Sequence, residues 1–195
     1  MRERILDAAL TVLQQEGPEG MSIRKIAERV NVSHMSLYSY FDNQAAIIKA
    51  LRERGFEQMQ ALCDASLRRA QSGDALTQVR ESLNQFIELS HTHPRLYQLA
   101  WRRWADDSSF RVNSQNLAKV LKHFSELIQL CVERGQCIER EPTLAAVMAF
   151  SIVNGTLILY HNVAPISQTD RAQLETETIE AAITYLTRSE QDGGD

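Results

Sequence analysis

The chain has 195 residues, 44% hydrophobic and 24% charged, with a net charge of −4. Those proportions suit a globule of one or two domains and exclude a disordered chain or a nucleic-acid coat working by bulk positive charge. The charge is uneven: residues 1–55 carry eight Lys/Arg and seven Asp/Glu, a balance of +1, and the remainder carries −5.

In chain order, Ile5, Leu6, Ala9, Leu10 and Leu13 share one face of a first helix predicted over about residues 3–16, ending before Gly17-Pro18. Arg2 and Arg4 are not followed by an apolar leader core, because Asp7 interrupts it. A secretory signal is therefore not expected, and the expected location is the cytoplasm.

Residues 22–41, SIRKIAERVNVSHMSLYSYF, carry the most information. Ile23, Ile26, Ala27 and Val30 make one apolar stripe at i, i+3, i+4, i+7, and Ser22 is a good N-cap just before it. Asn31 tolerates the left-handed conformation that closes a helix, Val32 suits burial in the angle, and Ser33 suits the cap of a second helix. There Leu37 and Phe41 face inward, leaving His34, Met35, Ser36, Ser39 and Tyr40 outside with Tyr38 at the edge. A short second helix rich in hydroxyls and poor in charge suits contact with phosphates and base edges. The pattern reads as a helix-turn-helix.

A long fourth helix is predicted from an Asn43 cap to about residue 70, broken by Ser72-Gly73-Asp74; a fifth covers about 75–91, and Pro94 ends the next break. A sixth covers about 95–105, and Asp106 to Ser109 is a loop. The seventh covers about 112–134 and closes at Gly135; the eighth starts near Pro142 and ends before Ala164-Pro165; the ninth covers about 170–188, ahead of a frayed tail. The expected fold is all-α: a three-helix N-terminal head, residues 1–44, joined by a long helix to a helical body, residues 45–195.

The body's rings invite a cavity. Tyr97, Trp101 and Trp104 share a helix face by spacing; with Phe86 and Phe124 as walls, and His123 and Asn154 as polar points, they suit a mostly apolar small molecule. For each ring taken alone, ordinary core packing is the competing reading. From Pro142 to Thr169 there is no Asp, Glu, Lys or Arg. That run has the length of a membrane span, but Ser151, Asn154, Gly155 and Thr156 interrupt it, and a helix apolar all round also arises at a subunit interface.

Cys63, Cys131 and Cys137 fit no metal spacing and read as reduced thiols. His34, His91, His93, His123 and His161 are scattered; His91 and His93, two apart, share no helix face. No catalytic constellation, glycine-rich phosphate loop, metal set or cofactor motif is read.

The residues Ser22, Ile26-Ala27, Val32-Ser33, Leu37-Tyr38, Tyr40-Phe41 and Ile47-Ile48 resemble the pattern of the TetR family of bacterial regulators over about the first fifty residues. The resemblance implies a homodimeric, ligand-responsive transcriptional repressor that binds a double-stranded DNA operator. DNA contact is then expected from Ser22, Arg24, Lys25, Ser33, His34, Met35, Ser36, Tyr38, Ser39, Tyr40 and Gln44. Ser22, Tyr38 and Tyr40 fall on phosphates, Arg24, His34 and Ser36 on base edges, and Met35 on a thymine methyl. It also implies a small-molecule effector in the body, no membrane, and a four-helix dimer interface from the last two helices, with Phe150, Leu157, Tyr160, Ile179 and Ile183 expected in it. The chain departs from the pattern at Asn31 for the turn glycine, Met35-Ser36 for Gly-Thr, Gln44 for a phosphate-binding lysine, and Ala45 for the acidic residue after it. They predict a leaner, less basic contact set. The rival expectation is a helical small-molecule-binding or adaptor protein with a weakened head.

Overall fold

The computed structural model describes residues 1–101, 109–163 and 170–188. Among them the fold is all-helical, with nine helices and no strand: α1 Arg2–Gly20, α2 Ile23–Val30, α3 His34–Tyr38, α4 Gln44–Ser72, α5 Ala75–Thr92, α6 Pro94–Trp101, α7 Ser109–Glu133, α8 Pro142–Asn162 and α9 Arg171–Thr187. The chain divides into two compact units, Met1–Glu57 with Thr92–Asn116, and Gln58–His91 with Leu117–Asp195.

In the first unit, Ile5, Ala9 and Leu13 of α1, Ile26 of α2, Leu37 of α3, and Ile47 and Leu51 of α4 are fully buried, with Leu96 of α6 packed among them. Each such side chain stabilises the fold by roughly 1.5–3 kcal/mol relative to exposure. Gly17 (φ 74°) breaks α1 where the Gly17-Pro18 pair predicts its end.

The second unit is closed mainly by α8 against α9. The two helices pack together, and each buries one face: Ala145, Ala146, Ala149 and Val153 on α8, and Thr178, Ile179, Ala182, Ile183 and Leu186 on α9. Both helices start from carboxylate caps. Glu141 Oε1 accepts from Thr143 N at 3.0 Å, and Asp170 Oδ1 accepts from Ala172 N at 2.9 Å. The end of α4 is held by Arg134, whose guanidinium donates to the carbonyls of Ala70, Gln71 and Gly73.

The thiol expectation needs correction. Cys131 and Cys137 form a disulfide, their Cα atoms 5.4 Å apart, and Cys63 alone is free. Gly135 (φ 67°) turns the chain back on the end of α7, so a separation of six residues in sequence becomes a bonding distance. Helix α7 also begins at Ser109, earlier than expected. The expected end of the sixth helix, Trp104 and the C-terminal tail lie outside the described residues.

Candidate nucleic-acid interface and ligand cleft

Three local devices build the turn between α2 and α3. Ser22 is extended, and its Oγ accepts from Lys25 N at 3.3 Å. Asn31 adopts the left-handed conformation (φ 56°, ψ 50°); its N–H donates to Glu28 O at 3.2 Å while Val32 N–H donates to Ala27 O at 3.1 Å. This pair of bonds is a Schellman closure, in which Val32 covers the end of the helix. Ser33 Oγ then accepts from Ser36 N at 3.1 Å and starts α3. Leu37 and Phe41 are buried, although α3 ends at Tyr38 and Phe41 follows in a turn held by its N–H on Leu37 O at 3.1 Å.

The outer face holds what the periodicity predicts. His34, Ser36 and Ser39 are exposed, Met35 is 76% exposed, and Tyr38 and Tyr40 are exposed by 42% and 45%. The rings of His34 and Tyr38 meet edge to face at 5.1 Å, which fixes two of the outer side chains against each other. Ser36 Oγ lies 2.7 Å from Ser33 Oγ, and Ser39 Oγ donates to Ser36 O at 2.7 Å. Each hydroxyl keeps acceptor capacity for a further partner. Gln44 is the first residue of α4, next to Asn43, whose Oδ1 accepts from Ala46 N at 2.9 Å.

The cations of this unit are largely engaged already. Lys25 pairs with Glu16 and donates to Gly20 O at 3.1 Å, so it anchors the end of α1. Arg24 lies 3.5 Å from Glu28 in an exposed i,i+4 pair, which holds it only weakly. Arg29 donates to Gln15, and Arg2 stacks over the Phe41 ring at 4.9 Å. Asn43 caps α4 as the sequence predicts. Arg2 on Phe41 is absent from the sequence-based set, and nothing in the sequence signals that stack.

In the second unit a narrow cleft, partly open to solvent, lies between Met59, Leu62 and Cys63 of α4, Ser82, Leu83, Gln85 and Phe86 of α5, Val120, Leu121 and Phe124 of α7, and Phe150 of α8. Burial, with Asp64 adding to it, pushes the Cys63 thiol up to about 11, so the lining stays uncharged. Of the residues expected at a ligand pocket, Phe86 and Phe124 line this cleft. His123 turns away, its Nε2 2.8 Å from Asp64 Oδ1 and its Nδ1 2.8 Å from Lys119 O. Asn154 is not among the lining residues, and Tyr97 is buried in the first unit. The Trp101 side chain and all of Trp104 lie outside the described residues.

The residues expected at a dimer interface make contacts within this unit. Phe150 packs on Phe86 at 4.9 Å between ring centres, and Tyr160 meets His91 edge to face at 5.4 Å. Leu157, Ile179 and Ile183 are buried in the unit's own core. The outward side of α8 is instead Leu144, Val147, Met148, Ile158 and Leu159, 37–56% exposed, with Ser151 and Gly155 between them. The reason is that α8 is apolar all round, so only its contact with α9 decides which side is inside. Among the described residues it is the one helix long and apolar enough to cross a membrane.

Residues 5–51 match the family model of bacterial regulatory proteins, tetR family. The HTH-type transcriptional repressor KstR of Mycolicibacterium smegmatis is 36% identical over 63 residues, 32% of this chain and 31% of that protein. The chain spans a third or less of the length of the curated relatives that it matches at 36% identity or better. Two solved structures share the whole fold. The regulator FadR from Bacillus subtilis, in complex with stearoyl-CoA, superposes with a TM-score of 0.78 at 18% identity, covering 95% of this chain and 100% of that one. SmeT, the repressor of the Stenotrophomonas maltophilia multidrug efflux pump SmeDEF, superposes in its triclosan complex with a TM-score of 0.77 at 19% identity, covering 97% and 92%.

Proposed function

We propose, from the match of residues 5–51 to the tetR family of bacterial regulatory proteins, that the chain is a cytoplasmic, ligand-responsive regulator of transcription, a repressor that binds a near-palindromic operator as a homodimer and lets go when a small molecule binds. The observation that carries the reading is the capped turn between α2 and α3, which holds a polar, hydroxyl-rich face outward on a closed apolar core. The relatives are transcriptional regulators, and we assign no catalysis.

The division of labour runs at residues 44 and 45: DNA binding before, ligand binding and dimerisation after. Ser22, Ser33, Tyr38, Ser39, Tyr40 and Gln44 hold phosphates. Arg24, His34 and Ser36 meet base edges, with Met35 on a thymine methyl. Lys25 joins them only by leaving Glu16. Two heads then sit in successive major grooves, ~34–36 Å apart. The exposed apolar stripe of α8 supports a four-helix interface made with α9 of both copies, and a stripe buried by a second copy needs no membrane.

FadR holds stearoyl-CoA and SmeT holds triclosan; by analogy the cleft between α4, α5, α7 and α8 takes the effector. A ligand there that prefers one setting of α4 changes the spacing of the heads. A coupling of ~1–3 kcal/mol lowers operator affinity by ~5–150-fold.

The test is fluorescence anisotropy on DNA from upstream of the protein's own gene. Tyr38→Phe and Tyr40→Phe are expected to weaken all sequences about equally, while Arg24→Ala and Ser36→Ala relax preference at particular base positions. No binding at low salt without ligand sinks the regulator reading. It favours the rival, a helical ligand-binding or adaptor protein, which the engagement of Lys25 and the presence of Gln44 support.

A further inference from the structure

Gln85 supplies the clue to what the cleft takes. Its Oε1 is buried and accepts no hydrogen bond. A buried acceptor without a donor is costly, and native proteins pair such groups or reserve them for a ligand. The neighbouring polar groups are spent. Ser82 donates its proton to Gln78 O at 2.8 Å, and Asp64, next to Cys63, lies against His123. The rest of the lining is aliphatic and aromatic apart from the Met59 thioether and the Cys63 thiol, a weak donor at best, and it contains no Lys, Arg, His, Asp or Glu.

We infer that the effector is a neutral, mostly apolar molecule of the phenol class, an aromatic body carrying one O–H or N–H that donates to Gln85 Oε1. The inference rests on the cleft being the effector site. Phe86, Phe124 and Phe150 give it three rings to pack on, and the tilted Phe86–Phe150 pair, 4.9 Å between centres, sets the kind of geometry an inserted ring adopts. A carboxylate or ammonium is rejected, because either would be buried without a counter-charge. Gln85 is thus the specificity-determining residue: the rings take any apolar body, and the amide requires the donor.

The experiment uses the full chain and three probes of one shape: 4-propylphenol, its methyl ether 4-propylanisole, and 4-propylbenzoate, each titrated by calorimetry at pH 7. The phenol is expected to bind roughly tenfold tighter than the ether, a difference the size of one buried hydrogen bond. The benzoate is expected to bind weakest. In Gln85→Leu the phenol-to-ether ratio falls to about one while the ether keeps its affinity, and the ligand-free variant melts no lower than the parent. Gln85→Met repeats the measurement should the leucine variant fail to fold. Equal binding of phenol and ether in the parent, tight binding of the benzoate, or a ratio that survives the substitution overturns the inference and leaves the cleft as a ligand site. Absence of saturable binding by all three removes the effector-site reading together with it.

Discussion

In the first unit most apolar side chains are inside, and the outer face of the turn is left to His34, Met35, Ser36, Ser39 and two tyrosines, each hydroxyl within reach of a neighbour or of water. In the second, Leu144, Met148 and Leu159 stand in solvent along one helix, and Gln85 Oε1 is buried with no partner. The first unit closes its core within one chain and leaves mainly polar groups on its outer face. The second leaves two apolar surfaces uncovered, one flat and one concave. The contrast teaches where other molecules are needed for stability and where only for function. A polar face is stable in water and gains when a polyanion replaces that water; an apolar stripe of this length calls for permanent cover.

The largest expected effect breaks the flat surface. Leu159 is 52% exposed in the single chain, so Leu159→Asp should leave the fold of each chain intact. In a two-fold dimer the change is made twice, and each copy buries an unpaired carboxylate at a cost of roughly 2 kcal/mol or more. A dimer dissociation constant raised about a thousandfold is expected, read by sedimentation velocity, with unchanged helicity by circular dichroism and loss of operator binding. A variant that stays dimeric would mean that the stripe is covered by something else.

A smaller effect tests the first unit. Asn31→Ala forces a side chain without a compensating local hydrogen bond into φ 56°, at a cost of about 1–2 kcal/mol, whereas Asn31→Gly should be neutral or slightly stabilising. Thermal melts monitored at residues of the first unit separate the two variants. An alanine variant as stable as the parent would show that the turn is set by the packing of Val32 rather than by its closure.

This contrast also sets what is legible in the sequence. The head is legible almost to the residue because its determinants are local: Ser22, Asn31 and Ser33 act within three or four positions of themselves, and the stripe of Ile23, Ile26, Ala27 and Val30 has one side. The body is legible as helices and breaks, since Gly73, Pro94, Gly135 and Pro142 act locally too. Its faces are not. Apolar residues surround α8, so nothing distinguishes Leu157, which is buried, from Leu159, which is not, until α9 is in place. His123 reads as a polar point for a ligand, but Asp64, fifty-nine positions earlier, claims it. The Cys131–Cys137 bond needs the left-handed Gly135 between the two thiols, and spacing alone carries no sign of that turn.

The smallest effect asks whether acid loosens the second unit before the first. His91 and His161 face each other with ring centres 5.3 Å apart, where the ends of α5 and α8 meet the start of α9. His161 Nε2 is 3.3 Å from Ser90 Oγ, and His91 Nε2 is 2.8 Å from Glu175 Oε1, which Arg171 also approaches at 3.1 Å. Burial holds both imidazoles below the ordinary 6.5. The neighbouring His91 charge lowers His161 further; on His91, Glu175 and Glu88 pull upward while Arg171 opposes them. A histidine whose value is lowered by folding binds its proton more readily in the unfolded chain. Its contribution is therefore whole above about pH 6.5 and is lost as the pH falls below that, until the folded imidazoles protonate as well. Hydrogen exchange at pH 7.5 and 5.5 should show the amides of α8 and α9 losing protection while those of α2 keep theirs, and His161→Gln should flatten the difference. Equal loss in both units would trace the acid sensitivity to carboxylates spread over the surface and leave the histidine pair without a role in it.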